Sequence, residues 1–168
     1  HVGVLSVLEE NGIEVDLVAG CSIGSLIGAL ICAGYDSDTI MKLAKGLGRG
    51  SWLEFVVHKK GFIGTENIYK IVTMLTKGRK IEELGKPFAA VATDLATGRE
   101  HVFRDGNSAA AVCASVAVPG IFVPYEWDGR QLVDGAIVNP TPVSVARDMG
   151  ADVIVAVDLA AVSSIGEV

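Results

Sequence analysis

The chain has 168 residues, enough for one domain with a sizeable core and too few for two ordinary ones. Half of it is hydrophobic (50%) and the mean hydropathy is +0.45, which suits a sheet buried on both faces; the most apolar run, residues 26–33, falls well short of the about 18 residues a bilayer span needs. A net charge of −6 and a pI near 5.0 argue against nucleic acid, which needs a basic face, and restrict any membrane contact to apolar side chains.

From the start of the chain, Val2, Leu5 and Leu8 recur at helical spacing and stop at Asn11-Gly12, predicting a helix over residues 2–11. Residues 15–19 form a short, apolar strand, and the apolar residues from Ile23 to Gly34 predict a helix that Gly34 ends. Asp36 or Ser37 caps the next helix, through about residue 47. A short helix is expected near residues 52–57, and Thr65-Glu66 opens another that runs to residue 76. The basic clusters at residues 58–60 and 77–80 read as solvated turns.

Residues 88–93 predict a buried strand, and Thr97-Gly98 a turn into a second strand ending at Phe103. The Ala-rich run 108–115 predicts a helix that Pro119 forbids from continuing. Asp128-Gly129 is a hairpin signal between strands at 123–127 and 131–133. Residues 141–149 predict a helix with Pro142 in its first turn, and residues 153–157 a last apolar strand. Strands alternating with helices imply an α/β fold with a mainly parallel sheet.

The strand-to-helix corner carries Gly20-Cys21-Ser22-Ile23-Gly24. An abrupt turn of this kind strains the central residue and projects its side chain from the top of the sheet, and glycines two before and two after spare it a collision of Cβ atoms. Ser22 would then stand at a helix N-terminus, where negative charge is favoured. A phosphate cradle does not fit, since no lysine follows Gly24. Gly24 and Gly28 are expected to admit close helix packing. Strand alternation points Cys21 away from Ser22 and into the core, and Leu26 and Ile27, next on the helix, read as core before they read as an acyl pocket.

A nucleophilic serine needs a base. The three histidines, His1, His58 and His101, read as surface or packing residues, whereas Asp134-Gly135 follows an apolar strand, where a tight turn can point a carboxylate into a cleft. That leaves a Ser22–Asp134 dyad, in which the carboxylate takes the hydroxyl proton itself, beside the plainer alternative that Asp134-Gly135 only makes a turn. Cys21, Cys32 and Cys113 are odd in number and lack metal-ligand spacing, so they read as buried hydrophobes in a reducing, cytoplasmic compartment.

Together, Gly20-Cys21-Ser22-Ile23-Gly24, Asp134-Gly135-Ala136, "ATDLATG" at 92–98 and "ASVAVPGIFVPYEWDGRQLVDGAIVNPTPV" at 114–143 resemble the patatin-like phospholipases, most closely their short, single-domain bacterial branch. The resemblance implies a three-layer α/β/α fold and a lipid acyl hydrolase without metal or cofactor, acting on an acyl lipid or ester with Ser22 as nucleophile and Asp134 as base. The Ile23 amide is the expected oxyanion donor within the chain. The family also carries a strand and a glycine-rich oxyanion loop ahead of its first helix. Residues 1–168 are therefore expected to form a single domain lacking both, with an unpaired gap or edge in its sheet and with catalysis weakened or lost in the chain as it stands. Two other readings stay open in the sequence, a non-catalytic regulatory or partner-binding domain and an acyltransferase.

Overall fold

The computed structural model describes residues 1–46 and 64–159. Within them six helices surround a five-stranded sheet. The helix expected near residues 52–57, the basic cluster at 58–60 and His58 lie outside the described residues.

Helix α1 (Val2–Glu10) closes at Asn11 and Gly12, whose φ of +68° reverses the chain into strand β1 (Val18–Cys21). Helix α2 (Ile23–Ala33) ends on Gly34 in the left-handed region, at φ +101°. Asp36 accepts the Thr39 N–H at the start of α3 (Ser37–Gly46). Then come α4 (Glu66–Leu75), β2 (Phe88–Asp94), β3 (Glu100–Phe103) and α5 (Ser108–Ser115), the last capped by Asn107 through the Ala110 N–H. The hairpin of β4 (Tyr125–Trp127) and β5 (Arg130–Asp134) turns through Asp128 and Gly129, both at positive φ as a two-residue turn requires. Helix α6 (Val143–Asp148) starts just after Pro142, which caps it from outside the first turn.

Strand β2 is buried along its whole length and organises the sheet. Its alternation splits the core: Phe88, Ala90 and Ala92 face α2, α4 and α5, while Ala89 and Val91 pack with Cys21 and with Val145 of α6. That gives three layers, helices over sheet over helix. Gly28 lets α2 lie this close, because a Cβ there would come within 2.8 Å of Val18 Cγ1 and 3.0 Å of the Phe88 ring.

The sheet departs from the expected mainly parallel arrangement. Strand β1 runs parallel to β2, but β3 and β5 run antiparallel to β2, and β4 is antiparallel to β5. Strand β3 overlaps both β1 and β5 along β2, so it must occupy the opposite edge. Strands β1 and β5 therefore share one edge of β2 and meet end to end, with Cys21 beside Val91 and Asp134 beside Ala92.

Residues 153–157 do not form the expected strand. The free edge of β1 and these residues line an apolar groove of about 820 Å³, with no described strand between them to supply a ladder, and Val153 is 85% exposed. Nor is the turn at 77–80 wholly solvated: Arg79 donates to the carbonyls of Thr76 and Ala33, satisfying the ends of α4 and α2 together. Among the described residues no helix is long and apolar enough to cross a membrane.

In an exposed helix, Gly→Ala gains about 1 kcal/mol. At Gly28 we expect the reverse sign, since overpacking a close helix–sheet contact costs about 1–3 kcal/mol. Urea denaturation of Gly28→Ala should show a lower midpoint, and a midpoint at or above the parent's would contradict the packing described.

Candidate active site

The sequence leaves β1 at Cys21 and enters α2 at Ile23, so one residue must absorb the whole change of direction. Ser22 does so at φ +52° and ψ −127°. Strain of this kind costs about 1–3 kcal/mol and persists only where surrounding contacts enforce it. Two other described non-glycine residues, Lys77 and Asp128, have positive φ, each in an ordinary turn with glycine next.

The contacts around Ser22 come from three elements. Its carbonyl accepts from Ser25 and Leu26 as α2 begins, and the Ser25 hydroxyl adds a third bond at 2.7 Å. Its N–H, beyond the last ladder position of β1, donates to Ser115 Oγ at 2.9 Å. Its own hydroxyl donates to Asp134 Oδ2 at 2.5 Å. The structure thus brings together the two residues singled out in the sequence, 112 positions apart.

Asp134 is 3% exposed, and its two oxygens are in different employ. Oδ1 accepts the Ala136 N–H at 2.8 Å, fixing the carboxylate as the cap of the turn at Gly135–Ile137. Oδ2 is left to face Ser22. The backbone is held on both sides: the Asp134 N–H donates to the Ala117 carbonyl at 2.9 Å, and its carbonyl accepts from Thr93 Oγ1 at 2.9 Å. The turn reading of Asp134-Gly135 and the carboxylate reading are therefore compatible.

The glycines divide in a way the motif did not anticipate. A Cβ on Gly20 would sit 2.4 Å from the Gly24 carbonyl oxygen, and one on Gly135 2.3 Å from the Val91 carbonyl oxygen. Both are backbone collisions with no soft side chain to yield. Gly24, by contrast, would meet only the His1 imidazole, at an ordinary 3.5 Å. It is not a close-packing site among the described residues, whereas Gly28 is. Leu26 is buried in the main core, and Ile27 packs against the Leu5, Leu30 and Ile40 cluster.

Cys21 is buried as expected, against Ala89, Val91 and Val145, but its thiol is not remote from the site, lying 3.8 Å from Asp134 Oδ1. Burial, followed by the charge of Asp134, pushes this thiol up to about 12. Burial pushes Cys32 and Cys113 up to about 12 as well. His101 stacks edge-on against Phe103 at 4.5 Å, and burial, then the Arg130 charge, holds its imidazole below the usual range. His1 packs over Gly24, closer to the corner than its position at the chain's start suggested. No group of His, Cys, Asp or Glu among the described residues could hold a metal ion.

Ile23 begins α2, so its N–H is one of the amides a helix leaves without an internal partner. It points the positive end of the helix toward the Ser22 corner. Sequence reasoning missed Ser115, the partner of the Ser22 N–H. The signal was a hydroxyl closing an otherwise Ala-rich, fully buried helix, where an unpartnered polar atom is rare.

Comparison with known proteins places these features in a family. The model of the patatin-like phospholipases matches residues 1–147. An uncharacterised NTE family protein of Mycobacterium bovis is 36% identical over 162 residues, covering 95% of this chain and 45% of that protein. Human patatin-like phospholipase domain-containing protein 6 is 33% identical over 175 residues, 95% of this chain and 12% of its own length. A patatin-like phospholipase domain-containing protein of Caenorhabditis elegans is 34% identical over 96% of this chain and 13% of its own. The chain thus spans less than half the length of these curated relatives.

Two outcomes follow from the geometry. Gly20→Ala should cost at least about 1–3 kcal/mol in urea denaturation, while Gly24→Ala should stay within about 0.5 kcal/mol of the parent; equal losses would contradict the contacts given for these glycines. The thiols, raised to about 12, should be silent to Ellman's reagent at pH 8 in the native protein, where only about 10⁻⁴ of each is thiolate. All three should react after unfolding, and a fast-reacting native thiol would refute the burial described.

Proposed function

The chain belongs to the patatin-like phospholipase family, and on that footing we propose that it is the hydrolytic domain of a serine lipid acyl hydrolase working through a Ser22–Asp134 dyad. The observation that carries the proposal is the 2.5 Å hydrogen bond from the Ser22 hydroxyl to Asp134 Oδ2, made by a strained, half-buried serine.

In this reading Ser22 Oγ attacks the ester carbonyl carbon as its proton passes to Asp134 Oδ2. The carbonyl oxygen becomes an oxyanion, and the Ile23 N–H at the start of α2 donates to it. Collapse of the tetrahedral intermediate breaks the ester C–O bond, and the proton on Asp134 goes to the leaving alcohol. Water then enters, gives a proton to Asp134 and attacks the acyl-enzyme; release of the acid returns the proton to Ser22. Because Oδ1 is held by the Ala136 N–H, the carboxylate keeps its aim through both half-reactions.

The substrate class follows the family, an acyl lipid or ester. Ile23, next to Ser22, and Ile137, three residues beyond Asp134, are exposed apolar side chains, and with a net charge of −6 a peripheral lipid contact would be apolar rather than electrostatic. Free, buried cysteines fit a reducing, cytoplasmic setting. The groove beside β1 supports a domain completed by a further strand: its walls are the open edge of β1 and the unpaired run 153–157, the two edges an intervening strand would join.

A fluorophosphonate probe applied to the full-length protein should label Ser22 and leave Ser22→Ala unlabelled; labelling that persists in the alanine variant removes Ser22 from the role. Asp134→Asn, which keeps the shape and loses the base, should cut ester turnover by about 10²–10⁴-fold. Product analysis with added alcohol acceptors distinguishes hydrolysis from transfer, and a protein that labels at Ser22 but forms only transfer products is an acyltransferase.

A further inference from the structure

Helix α5 is an unusual place for a hydroxyl. Every one of its side chains is buried, and Ser115 is 0% exposed. Its oxygen makes two bonds of opposite sense: it donates to the Val91 carbonyl of β2 at 2.6 Å and accepts the Ser22 N–H at 2.9 Å. With the proton committed to Val91, a lone pair is fixed toward Ser22. Two residues further on, the Ala117 carbonyl accepts the Asp134 N–H at 2.9 Å. One short stretch of chain therefore grips the backbones of both site residues.

The grip on Ser22 acts where the strain is. Rotation about the Ser22 N–Cα bond sets φ, and Cys21 is the last residue of the β1 ladder, so the ladder does not hold the Ser22 N–H. The start of α2 holds the carbonyl side of the residue. Ser115 holds the amide side, and from the backbone so held Oγ reaches Asp134 Oδ2 at 2.5 Å.

We propose that Ser115 is a positioning residue for the reaction at Ser22. Its hydroxyl holds the nucleophile's peptide in the strained conformation that reaches Asp134, and by occupying the Ser22 N–H it leaves the Ile23 amide as the donor that this corner offers an oxyanion. The proposal rests on the hydrolase reading above. Ser108 supplies an internal control: at the other end of the same helix it is 1% exposed and donates to the Arg79 carbonyl at 2.6 Å, with Thr76 Oγ1 at 3.3 Å. It carries the same burden of a buried hydroxyl, with neither Ser22 nor Asp134 among its hydrogen-bond partners.

The experiment compares Ser115→Ala, Ser115→Thr and Ser108→Ala in the full-length protein. Turnover of a soluble ester is expressed per fluorophosphonate-titrated site, and amide hydrogen exchange at Ser22 is read alongside. Ser115→Ala should lower kcat per site by about 10- to 100-fold with KM within about twofold, and should speed Ser22 exchange by at least about tenfold. Ser115→Thr, which keeps the hydroxyl, should recover most of kcat, and Ser108→Ala should lose comparable stability with kcat per site unchanged. The proposal is overturned if Ser115→Ala keeps kcat per site within about twofold of the parent, or if Ser22 exchange is unchanged. If Ser115→Ala does not fold, Ser115→Cys, near in volume with a weakly bonding sulfur, is held to the same two thresholds. A parent protein that neither turns over esters nor labels at Ser22 sinks the hydrolase reading instead, and the exchange comparison still decides whether Ser115 holds the Ser22 peptide.

Discussion

The site depends on a junction in the sheet, where β1 and β5 arrive from opposite directions on one edge of β2 and stop at neighbouring positions, Val91 and Ala92. A strand pair side by side would keep its side chains about 5 Å apart and fixed in parallel rows. Two strands meeting end to end leave a gap in the ladder, and the chain on either side of it must turn out of the sheet. Ser22 is the first residue of one departure and Asp134 the last residue before the other. Their side chains meet at that gap.

The Val91 peptide is the common reference for both turns. Its carbonyl takes the Ser115 hydroxyl, which holds Ser22, and it lies against Gly135, which directs the chain away after Asp134. That carbonyl is crowded to the point that a methyl group at 135 would overlap it. Small side chains make the crowding affordable: Ala109, Ala110, Ala111 and Ala114 line α5, and Ala90 and Ala92 face the helices from β2. A helix of leucines would stand further from the sheet, and a serine hydroxyl on it would not span to Val91. The low-volume composition of this region is thus part of the positioning, and not merely permitted by it.

Much of this was legible locally. Gly20-Cys21-Ser22-Ile23-Gly24 announced the corner because its constraint is steric and lies within five residues, and Asp128-Gly129 announced the hairpin for the same reason. Helix ends at Gly34 and Ser115 were marked by residue type or by the proline beyond. Apart from the Ser22–Asp134 pairing, what could not be read was how distant segments meet. An apolar run such as 88–93 shows that a strand is buried without showing its neighbours' directions, so the antiparallel arrival of β5 was invisible. Residues 153–157 carry a strand's pattern, but a strand is a pairing, and no described neighbour supplies one. Ser115 looked like the tail of an alanine helix because its partner lies 93 residues away. Gly24 was over-read, since the motif does not say which of its two glycines meets backbone.

In the proposed dyad, a serine served by a carboxylate rather than an imidazole shifts the chemical burden. Histidine-based sites need a third residue to hold the ring in the right tautomer and orientation; a carboxylate has no tautomer, and here a backbone amide does the orienting by engaging Oδ1. The saving in residues has a counterpart in reactivity. In the proposed step a carboxylate that takes the Ser22 proton becomes neutral, so no imidazolium forms beside the oxyanion. Stabilisation of the oxyanion must then carry more of the barrier. In the proposed reaction the Ile23 amide at the start of α2 is the donor this chain offers to that stabilisation, and a donor so placed is effective only if the preceding peptide does not rotate. On that reading the rigidity of the Ser22 peptide matters to the chemistry, and the buried Ser115 hydroxyl, from a third element, is the group that engages its N–H.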